Sequence, residues 1–206
     1  MKIKLCGFKE IETLKTAIET KCDFIGFIFC EKSPRFINVL KAAEISQIIP
    51  QDISKVAVIV DADFDFLTEI ANKFKPEFFQ FHGNEDVEYL KKAKETFPNI
   101  KIIKAIKVED ENVQNLVETF QNHCDQILFD NKTAGSGQKF DWKYLQNIIT
   151  QNDFFLSGGL NIDNIDEAIK VTNAKMIDIS SGIEEIRGEK SAKSIIEFMN
   201  KVKNYQ

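Results

Sequence analysis

The sequence predicts a single α/β domain, a (β/α)8 barrel of near-minimal length that spans residues 1–206. Apolar runs of strand length recur along the chain, and stretches with apolar residues at three- and four-residue spacing separate them. The two patterns alternate eight times without a Pro/Gly-rich linker. Such alternation is typical of parallel strands joined by helical crossovers. Eight units in one short domain indicate closure into a barrel.

Eight apolar runs are predicted to form the strands. In the first, Ile3 and Leu5 alternate with Lys2 and Lys4, which is the pattern of a half-buried strand. Gly7 follows it and allows a sharp turn. In chain order the runs read "KIKLCG", "DFIGFIF", "SKVAVIV", "EFFQFHG", "IKIIKAIKV", "DQILFD", "DFFLSGG" and "KMIDISSG".

The stretches between these runs are predicted to form amphipathic helices. Asp61 and Asp63, after the third strand, are interpreted as a turn residue and a helix cap, and Asn161 as the cap of the helix in "NIDNIDEAIK". Apolar residues at helical spacing include Ile11, Leu14 and Ile18; Phe66, Ile70 and Phe74; and Ile195, Phe198, Met199 and Val202.

A doubly wound open sheet is the alternative fold for an alternating α/β pattern. That fold usually carries a G-x-G-x-x-G fingerprint after its first strand. The corresponding segment here reads "CGFKEIE" and lacks that spacing, so the barrel is favoured.

Composition and charge exclude several classes of protein. The chain of 206 residues is 43% hydrophobic and 29% charged, as expected for a soluble globular protein. A net charge of -5 argues against a nucleic-acid surface. The four scattered cysteines favour neither zinc nor a disulfide framework and fit a reducing cytoplasm. No apolar run approaches a membrane span. We expect a cytoplasmic protein that acts on a small molecule, with a monomer as the default state.

The barrel prediction specifies where functional residues lie, because active sites of such barrels occupy the carboxyl ends of the strands. Small and polar residues are concentrated at those ends, although the strands that lead to them are apolar. They are Cys6 and Gly7, residues 29–35, Asp61, His82 and Gly83, Lys107, Asp130, residues 157–159 and residues 180–182.

Two of these ends resemble a phosphate site. Gly158 and Gly159 end the seventh strand, and Ser180, Ser181 and Gly182 end the eighth. Loops after strands seven and eight form the recurring phosphate site of these barrels, and glycines there let backbone amides approach an anion. The alternative is two tight turns that require glycine. The presence of both patterns in these two strands favours phosphate binding.

Other strand ends carry candidate chemical groups. Cys6 is either a small apolar residue that closes a strand or a thiol at the rim of an active site. Asp130 is either a loop cap or a partly desolvated acid that donates a proton. Arg35 follows Pro34 in "EKSPRF" and offers a planar fork for a substrate carboxylate, unless it is simply solvated. His82 lies beside Gln80 in "FQFHG", and we predict that both position the substrate.

Six segments in register resemble one family, the phosphoribosylanthranilate isomerases of tryptophan biosynthesis. They lie at the ends of strands one, two, four, six, seven and eight, so the resemblance covers essentially the whole chain. The segments are "KLCG", "GFIFCEKSPRFI", "FQFHG", "LFDNKTAGSGQKFDW", "LSGGLN" and "IDISSGIEEIRGEK".

The resemblance implies a (β/α)8 barrel that works without metal or organic cofactor. Its reaction is an Amadori rearrangement, an aldose–ketose isomerisation of N-(5-phosphoribosyl)anthranilate to 1-(2-carboxyphenylamino)-1-deoxyribulose 5-phosphate. By position, Cys6 matches the general base, Asp130 the general acid, and Arg35 the arginine that engages the anthranilate carboxylate. His82 and Asp178 match residues that line the substrate. Gly158, Gly159, Ser180, Ser181 and Gly182 match the phosphate clamp.

The chain departs from the family pattern at a few positions. Ser157 stands where the family often has alanine, and "EEIRGEKSAKS" lacks the proline and the Lys-Asp pair common after the last strand. We expect that last departure to lie away from the proton-transfer groups. "TAGSGQKFDW" is a Gly-bearing loop that we expect to close over the substrate.

Two other functions remain open from the sequence. One is another phosphate-binding barrel enzyme acting on a sugar phosphate. A metal-dependent epimerase would need a His/Asp set, and the chain has only His82 and His123. The other is a non-catalytic barrel that binds a phosphorylated ligand. The presence of both Cys6 and Asp130 argues against it.

Overall fold

The first strand of the sheet pairs in parallel with both the second and the eighth, so the sheet closes into an eight-stranded barrel. The structure is a computed structural model and describes residues 1–131 and 141–205. The barrel strands are β1 (Lys2–Cys6), β2 (Phe24–Ile28), β3 (Ser54–Ile59), β4 (Phe78–Phe81), β5 (Lys101–Val108), β6 (Gln126–Asn131), β7 (Phe155–Leu156) and β8 (Met176–Ile179). A short antiparallel hairpin, β9 (Glu184–Ile186) and β10 (Glu189–Lys190), follows β8.

Helices occupy most of the connections, as the pattern predicts. They are α1 (Ile11–Glu19), α2 (Val39–Ile45), α3 (Phe64–Lys73), α4 (Val87–Thr96), α5 (Val113–Phe120), α6 (Ile165–Thr172) and α7 (Ala192–Val202). Short 3₁₀ helices cover Ser46–Ile48, Trp142–Leu145, Ser181–Ile183 and Lys203–Tyr205. In the described chain no helix is both long and apolar enough to cross a membrane.

Two predictions about helices need correction. The connection after β6 has only the 3₁₀ turn Trp142–Leu145 in its described part, where an eighth helix was predicted. Asn161 is not the cap of α6, which begins at Ile165 behind Asn164. The Asn161 side chain accepts the N–H groups of Asp163 and Asn164 instead, and these bonds form a turn before the helix begins. Asp63 does cap α3, by accepting from the N–H of Phe66.

Both faces of the barrel strands are covered, so the protein has two apolar layers. One lies between the strands and the helices, and the other lies inside the barrel. Outward-facing residues such as Ile3 and Leu5 pack under the helices in the main core. Inward-facing residues fill the barrel. At the amino ends of the strands, Phe24 contacts Phe78 and Phe155 edge to face, with ring centroids 5.6 and 5.2 Å apart. These three rings close the bottom of the barrel, so polar inward residues collect at the opposite end.

Candidate active site

A cavity of about 270 Å³ opens at the carboxyl ends of the strands. All predicted catalytic, substrate-binding and phosphate-binding residues line it except Gly182. Cys30, which belongs to the predicted segment 29–35, also lines it. The site is therefore assembled from strands β1, β2, β4, β6, β7 and β8 and the loops that follow them. It lies at the end of the barrel where the active sites of (β/α)8 enzymes are found.

Cys6 is the last residue of β1 and its thiol points into the barrel, where only 4% of the residue is exposed. In the register of the sheet it lies opposite Gly26 of β2. A Cβ on Gly26 would come within 2.6 Å of the Cys6 sulphur, so the glycine leaves the space that the thiol occupies. Burial raises the pKa of Cys6 and the Asp178 carboxylate raises it further, while the ammonium groups of Lys4 and Lys190 lower it.

Gly7 has φ of +90°, which suits glycine and strains other residues. A Cβ there would approach Cδ of Arg35 to 2.9 Å and Oγ of Ser180 to 3.3 Å. The sequence predicts a sharp turn at Gly7, and this positive φ agrees with it. In the structure, the absence of a side chain at Gly7 leaves space for the side chain of Arg35, and Gly26 provides the space around the thiol.

Asp130, at the end of β6, is 5% exposed and both of its carboxyl oxygens have partners. Oδ1 accepts the N–H of Asn131 at 2.8 Å, and Oδ2 lies 2.9 Å from Nε2 of His82. Nδ1 of His82 in turn lies 2.9 Å from Nε2 of Gln80. The three predicted residues thus form one hydrogen-bonded chain from β4 to β6. This chain fixes the position of the Asp130 carboxyl group at the cavity wall.

Arg35 lies in the cavity wall, but its guanidinium already holds a carboxylate of the protein. Nε donates to Oε1 of Glu184 at 2.5 Å, and Nη2 donates to Oε2 at 2.9 Å. Within the described residues, Nη1 has no hydrogen-bond partner, so one edge of the fork remains for a ligand. Burial alone would raise the pKa of Glu184, but the bonds from Arg35 and the charge of Lys190 lower it to about 2.

Lys190 reaches back into the site from the hairpin. Its ammonium donates to Oε1 of Glu184 at 2.8 Å and to the carbonyl and hydroxyl oxygens of Ser180 at 2.9 and 3.1 Å. Burial lowers its pKa to about 8, against the opposing pull of Glu184. The expectation that this last connection lies away from the proton-transfer groups is therefore wrong, because Lys190 binds the hydroxyl of Ser180, which in turn donates to the Cys6 carbonyl.

The two loops predicted to bind phosphate lie side by side at the cavity rim. Gly158 and Gly159 have φ of 88° and 68°, which turns the backbone after β7 sharply. The hydroxyl of Ser180 donates to the carbonyl of Cys6 at 3.0 Å. Ser181 lines the cavity, whereas a Cβ on Gly182 would lie 2.1 Å from the carbonyl oxygen of Leu160. Gly182 therefore lets the β8 loop pack directly against the β7 loop.

Asp178 of β8 lies beside Lys4 of β1, to which it is paired in the sheet register. Its Oδ2 accepts from the Lys4 ammonium at 2.8 Å. Its Oδ1 is buried and has no hydrogen-bond partner among the described residues. That oxygen is available to a donor group of a ligand in the cavity.

Lys4, Gly26, Glu184 and Lys190 belong to this site, and sequence reasoning missed them. One signal for Lys4 exists in the sequence, since residues two apart in a strand share a face and Lys4 is two residues from Cys6. The hairpin residues carry no comparable signal. Of the predicted closing loop, residues 133–142, only Asp141 and Trp142 lie within the described residues. In the described ranges, no three His, Cys, Asp or Glu side chains converge as a metal site requires.

The comparisons with known proteins agree on one family. The family model described as N-(5'-phosphoribosyl)anthranilate isomerase matches residues 3–201. A Zymomonas mobilis protein named N-(5'-phosphoribosyl)anthranilate isomerase is 37% identical over 210 residues, which cover 98% of each chain. The solved Thermotoga maritima phosphoribosyl anthranilate isomerase has a TM-score of 0.88 at 29% identity and covers 99% of both chains.

A further solved structure of phosphoribosyl anthranilate isomerase contains reduced 1-(o-carboxyphenylamino)-1-deoxyribulose 5-phosphate. This chain matches it with a TM-score of 0.85 and 30% identity, over 99% of both chains.

Proposed function

The chain belongs to the N-(5'-phosphoribosyl)anthranilate isomerase family, and from that premise we propose that Cys6 and Asp130 are its general base and general acid. The chain is an aldose–ketose isomerase of tryptophan biosynthesis. It converts N-(5-phosphoribosyl)anthranilate to 1-(2-carboxyphenylamino)-1-deoxyribulose 5-phosphate. The observation that carries the proposal is that Cys6 and Asp130 line one cavity, from strands β1 and β6.

In the proposed first step, Asp130 donates its proton to the ring oxygen of the ribose. The bond between that oxygen and C1′ breaks as the anthranilate nitrogen forms a protonated Schiff base with C1′. Cys6, as the thiolate, then removes the proton from C2′. The electron pair of the broken C2′–H bond forms the C1′=C2′ double bond of the enolamine. Protonation at C1′ and loss of the C2′ hydroxyl proton give the ketone. One proton returns through solvent from Cys6 to Asp130 and resets both groups.

His82 supports the acid in this scheme. Its Nε2 lies within hydrogen-bond distance of the Asp130 carboxyl group. It can therefore hold the carboxyl group in the orientation that the first step needs. Gln80 contacts the other ring nitrogen and fixes the ring plane.

The remaining contacts position the substrate. We expect the open edge of Arg35 to bind the anthranilate carboxylate, with Glu184 holding the guanidinium in orientation. The phosphate would lie against the loops that contain Gly158, Gly159 and Ser181, where the cavity reaches its rim. We also expect a cytoplasmic monomer that works without a cofactor. Sedimentation would test the oligomeric state.

The test follows the fluorescence of freshly prepared phosphoribosylanthranilate, with EDTA present throughout. Cys6→Ala and Asp130→Asn should each lower kcat by at least about a hundredfold, the contribution typical of general acid–base catalysis. Cys30→Ala is the matched control, because Cys30 lines the same cavity and has no assigned role.

Each result has a defined reading. A folded parent that leaves the fluorescence unchanged would contradict the activity. A Cys6→Ala variant that keeps the parent rate would instead remove the thiol from the mechanism and leave the family assignment intact.

A further inference from the structure

Lys4 is a buried charged residue beside the proposed base, and the proposed mechanism gives it no role. It belongs to β1, shares the inward face with Cys6, and is fully buried at 0% exposure. A buried ammonium without a partner is strongly unfavourable, so its presence inside a barrel requires an explanation. Asp178 supplies part of one, through the ion pair at 2.8 Å.

The ion pair with Asp178 does not use all of the ammonium donors. A lysine has three N–H groups, and Asp178 takes one of them through Oδ2. Its other two N–H groups are on the inward face of β1, which Lys4 shares with Cys6. A Cβ placed on Gly26 would meet both groups, the Cys6 sulphur at 2.6 Å and the Lys4 nitrogen at 3.2 Å. The sulphur and the ammonium therefore lie together in the space that this glycine leaves open.

We propose that Lys4 is a positioning residue for the base: its ammonium, held between Asp178 and Cys6, stabilises Cys6 as a thiolate. The thiolate is the form that can remove a proton from carbon. A neutral thiol would be the stable form in an apolar barrel, because burial disfavours the charged state. An adjacent fixed cation offsets part of that cost. The inference rests on the proposed role of Cys6 and names the group that makes this role feasible.

The other charges that face Cys6 act in both directions. Asp178, on β8, opposes ionisation of the thiol, and Lys190, on β10, favours it. On the neighbouring strand β2, the residue opposite Cys6 is the uncharged Gly26. Lys190 donates to Glu184 and Ser180, whereas the Lys4 nitrogen and the Cys6 sulphur both border the space that Gly26 leaves open. Lys4 is thus the principal counter-charge, and Asp178 both anchors it and competes for it.

Two substitutions, one at Lys4 and one at Asp178, should shift the pKa of Cys6 in opposite directions. Lys4→Met keeps the length of the side chain and removes the charge, so the pKa of Cys6 should rise by about one unit or more. Asp178→Asn removes the opposing negative charge and leaves the ammonium to the thiol, so the pKa of Cys6 should fall. Lys4→Arg retains a cation and should stay closer to the parent than Lys4→Met does.

The experiment measures the rate at which iodoacetamide alkylates Cys6 as a function of pH, in the intact protein without substrate. Mass spectrometry of the Cys6 peptide separates this thiol from the other three cysteines. At neutral pH the alkylation rate in Lys4→Met should be about tenfold lower than in the parent, because one pKa unit changes the thiolate fraction tenfold. Circular dichroism shows whether each variant is folded.

The control is Lys104→Met. Lys104 is also a buried lysine with a carboxylate partner, Glu85, at 2.8 Å, but it lies outside the cavity that contains Cys6. Its loss should reproduce the destabilisation caused by removing a buried lysine while leaving the titration of Cys6 unchanged.

A Cys6 titration in folded Lys4→Met identical to that of the parent would overturn the inference and leave Lys4 as a counter-ion of Asp178 only. If Lys4→Met does not fold, Asp178→Asn decides: a Cys6 pKa that stays constant or rises there also overturns it. Because no substrate is used, this result is independent of the proposed activity. An inactive parent with a Lys4-dependent thiol would refute the function alone.

Discussion

His82 is held through both of its ring nitrogens, and these contacts determine which tautomer faces the acid. With the Gln80 amide nitrogen 2.9 Å from Nδ1, the amide donates and Nδ1 accepts. The ring proton then resides on Nε2 and points to Asp130. The Oε1 of Gln80 is buried without a partner among the described residues. That orphaned acceptor is the cost of directing the amide donor at the histidine.

Replacement of Gln80 by methionine should therefore impair proton transfer while the fold is retained. A buried acceptor that loses its donor costs about 1–3 kcal/mol, so we expect kcat/KM to fall by roughly tenfold. The ¹⁵N shifts of the histidine ring report the tautomer directly. His123, the only other histidine, serves as the internal reference. An unchanged His82 tautomer together with an unchanged rate would show that Gln80 does not position the ring.

The residues of the site differ in how far a sequence specifies them. Cys6 and Asp130 stand out because each ends an apolar strand, and closure of the barrel then brings both to one cavity. The alternation of Lys4 with apolar residues predicts a half-buried strand, yet both faces of a barrel strand are covered and Lys4 is fully buried. Arg35 was predicted as a free fork. Its partner Glu184 follows 149 residues later, and no local sequence pattern indicates a pair of residues so far apart in the chain.

At the scale of elements, glycines decide how closely neighbouring strands and loops approach. Gly26 and Gly182 show two different cases. A Cβ on Gly26 would meet the ends of two side chains, Cys6 and Lys4, which can move. A Cβ on Gly182 would meet backbone, the carbonyl oxygen of Leu160 at 2.1 Å, so the β7 and β8 loops would have to separate.

These two contacts predict an order of stability. Gly26→Ala should fold with a loss of about 1–3 kcal/mol, which is usual for overpacking a core, but should lose most activity because the thiol is displaced. Gly182→Ala should lose more free energy of unfolding than Gly26→Ala. Urea unfolding and kcat/KM of both variants test this. Equal stabilities, or a milder effect at Gly182, would mean that the two loops adapt more easily than their contact indicates.

The sequence specified most elements because hydrophobic periodicity is local. Each of the eight barrel strands lies where an apolar run predicts it. The exceptions arise where side chains compete with the pattern. Asn161 captures two backbone N–H groups and delays the start of α6. The chain after β6 forms a 3₁₀ turn at Trp142–Leu145 in its described part, although its pattern favours a helix.

At the scale of the whole molecule, closure of the sheet separates an apolar layer under the helices from an apolar layer inside the barrel. It also brings the polar residues of the strand ends into one cavity. The rings at the bottom of the barrel exclude water there, and ionisable groups of the inner face gather at the other end. Several of these groups, and two thiols outside the barrel, have shifted pKa values. The free energy of unfolding must therefore depend on pH.

Alkaline pH tests this dependence through Cys22, which is 3% exposed. Burial raises its pKa from 9.0 to about 12. Between those values the unfolded chain has lost a proton that the folded protein retains, so stability falls as pH rises, by about 1.4 kcal/mol per pH unit. Cys124, with its pKa raised by burial to about 11, acts in the same direction. Lys190, whose pKa burial lowers to about 8, acts in the opposite direction up to its ordinary value of 10.5.

Comparison with Cys22→Ala isolates one thiol from this sum. At neutral pH the variant should be less stable than the parent, because the buried thiol fills space in the core. As the pH is raised from about 8 to about 11, that deficit should shrink and then reverse, since only the parent keeps a proton-linked loss at residue 22. Urea unfolding at each pH, under reducing conditions, gives the difference directly. A difference that stays constant over the range would show that Cys22 ionises equally in the folded and unfolded chains.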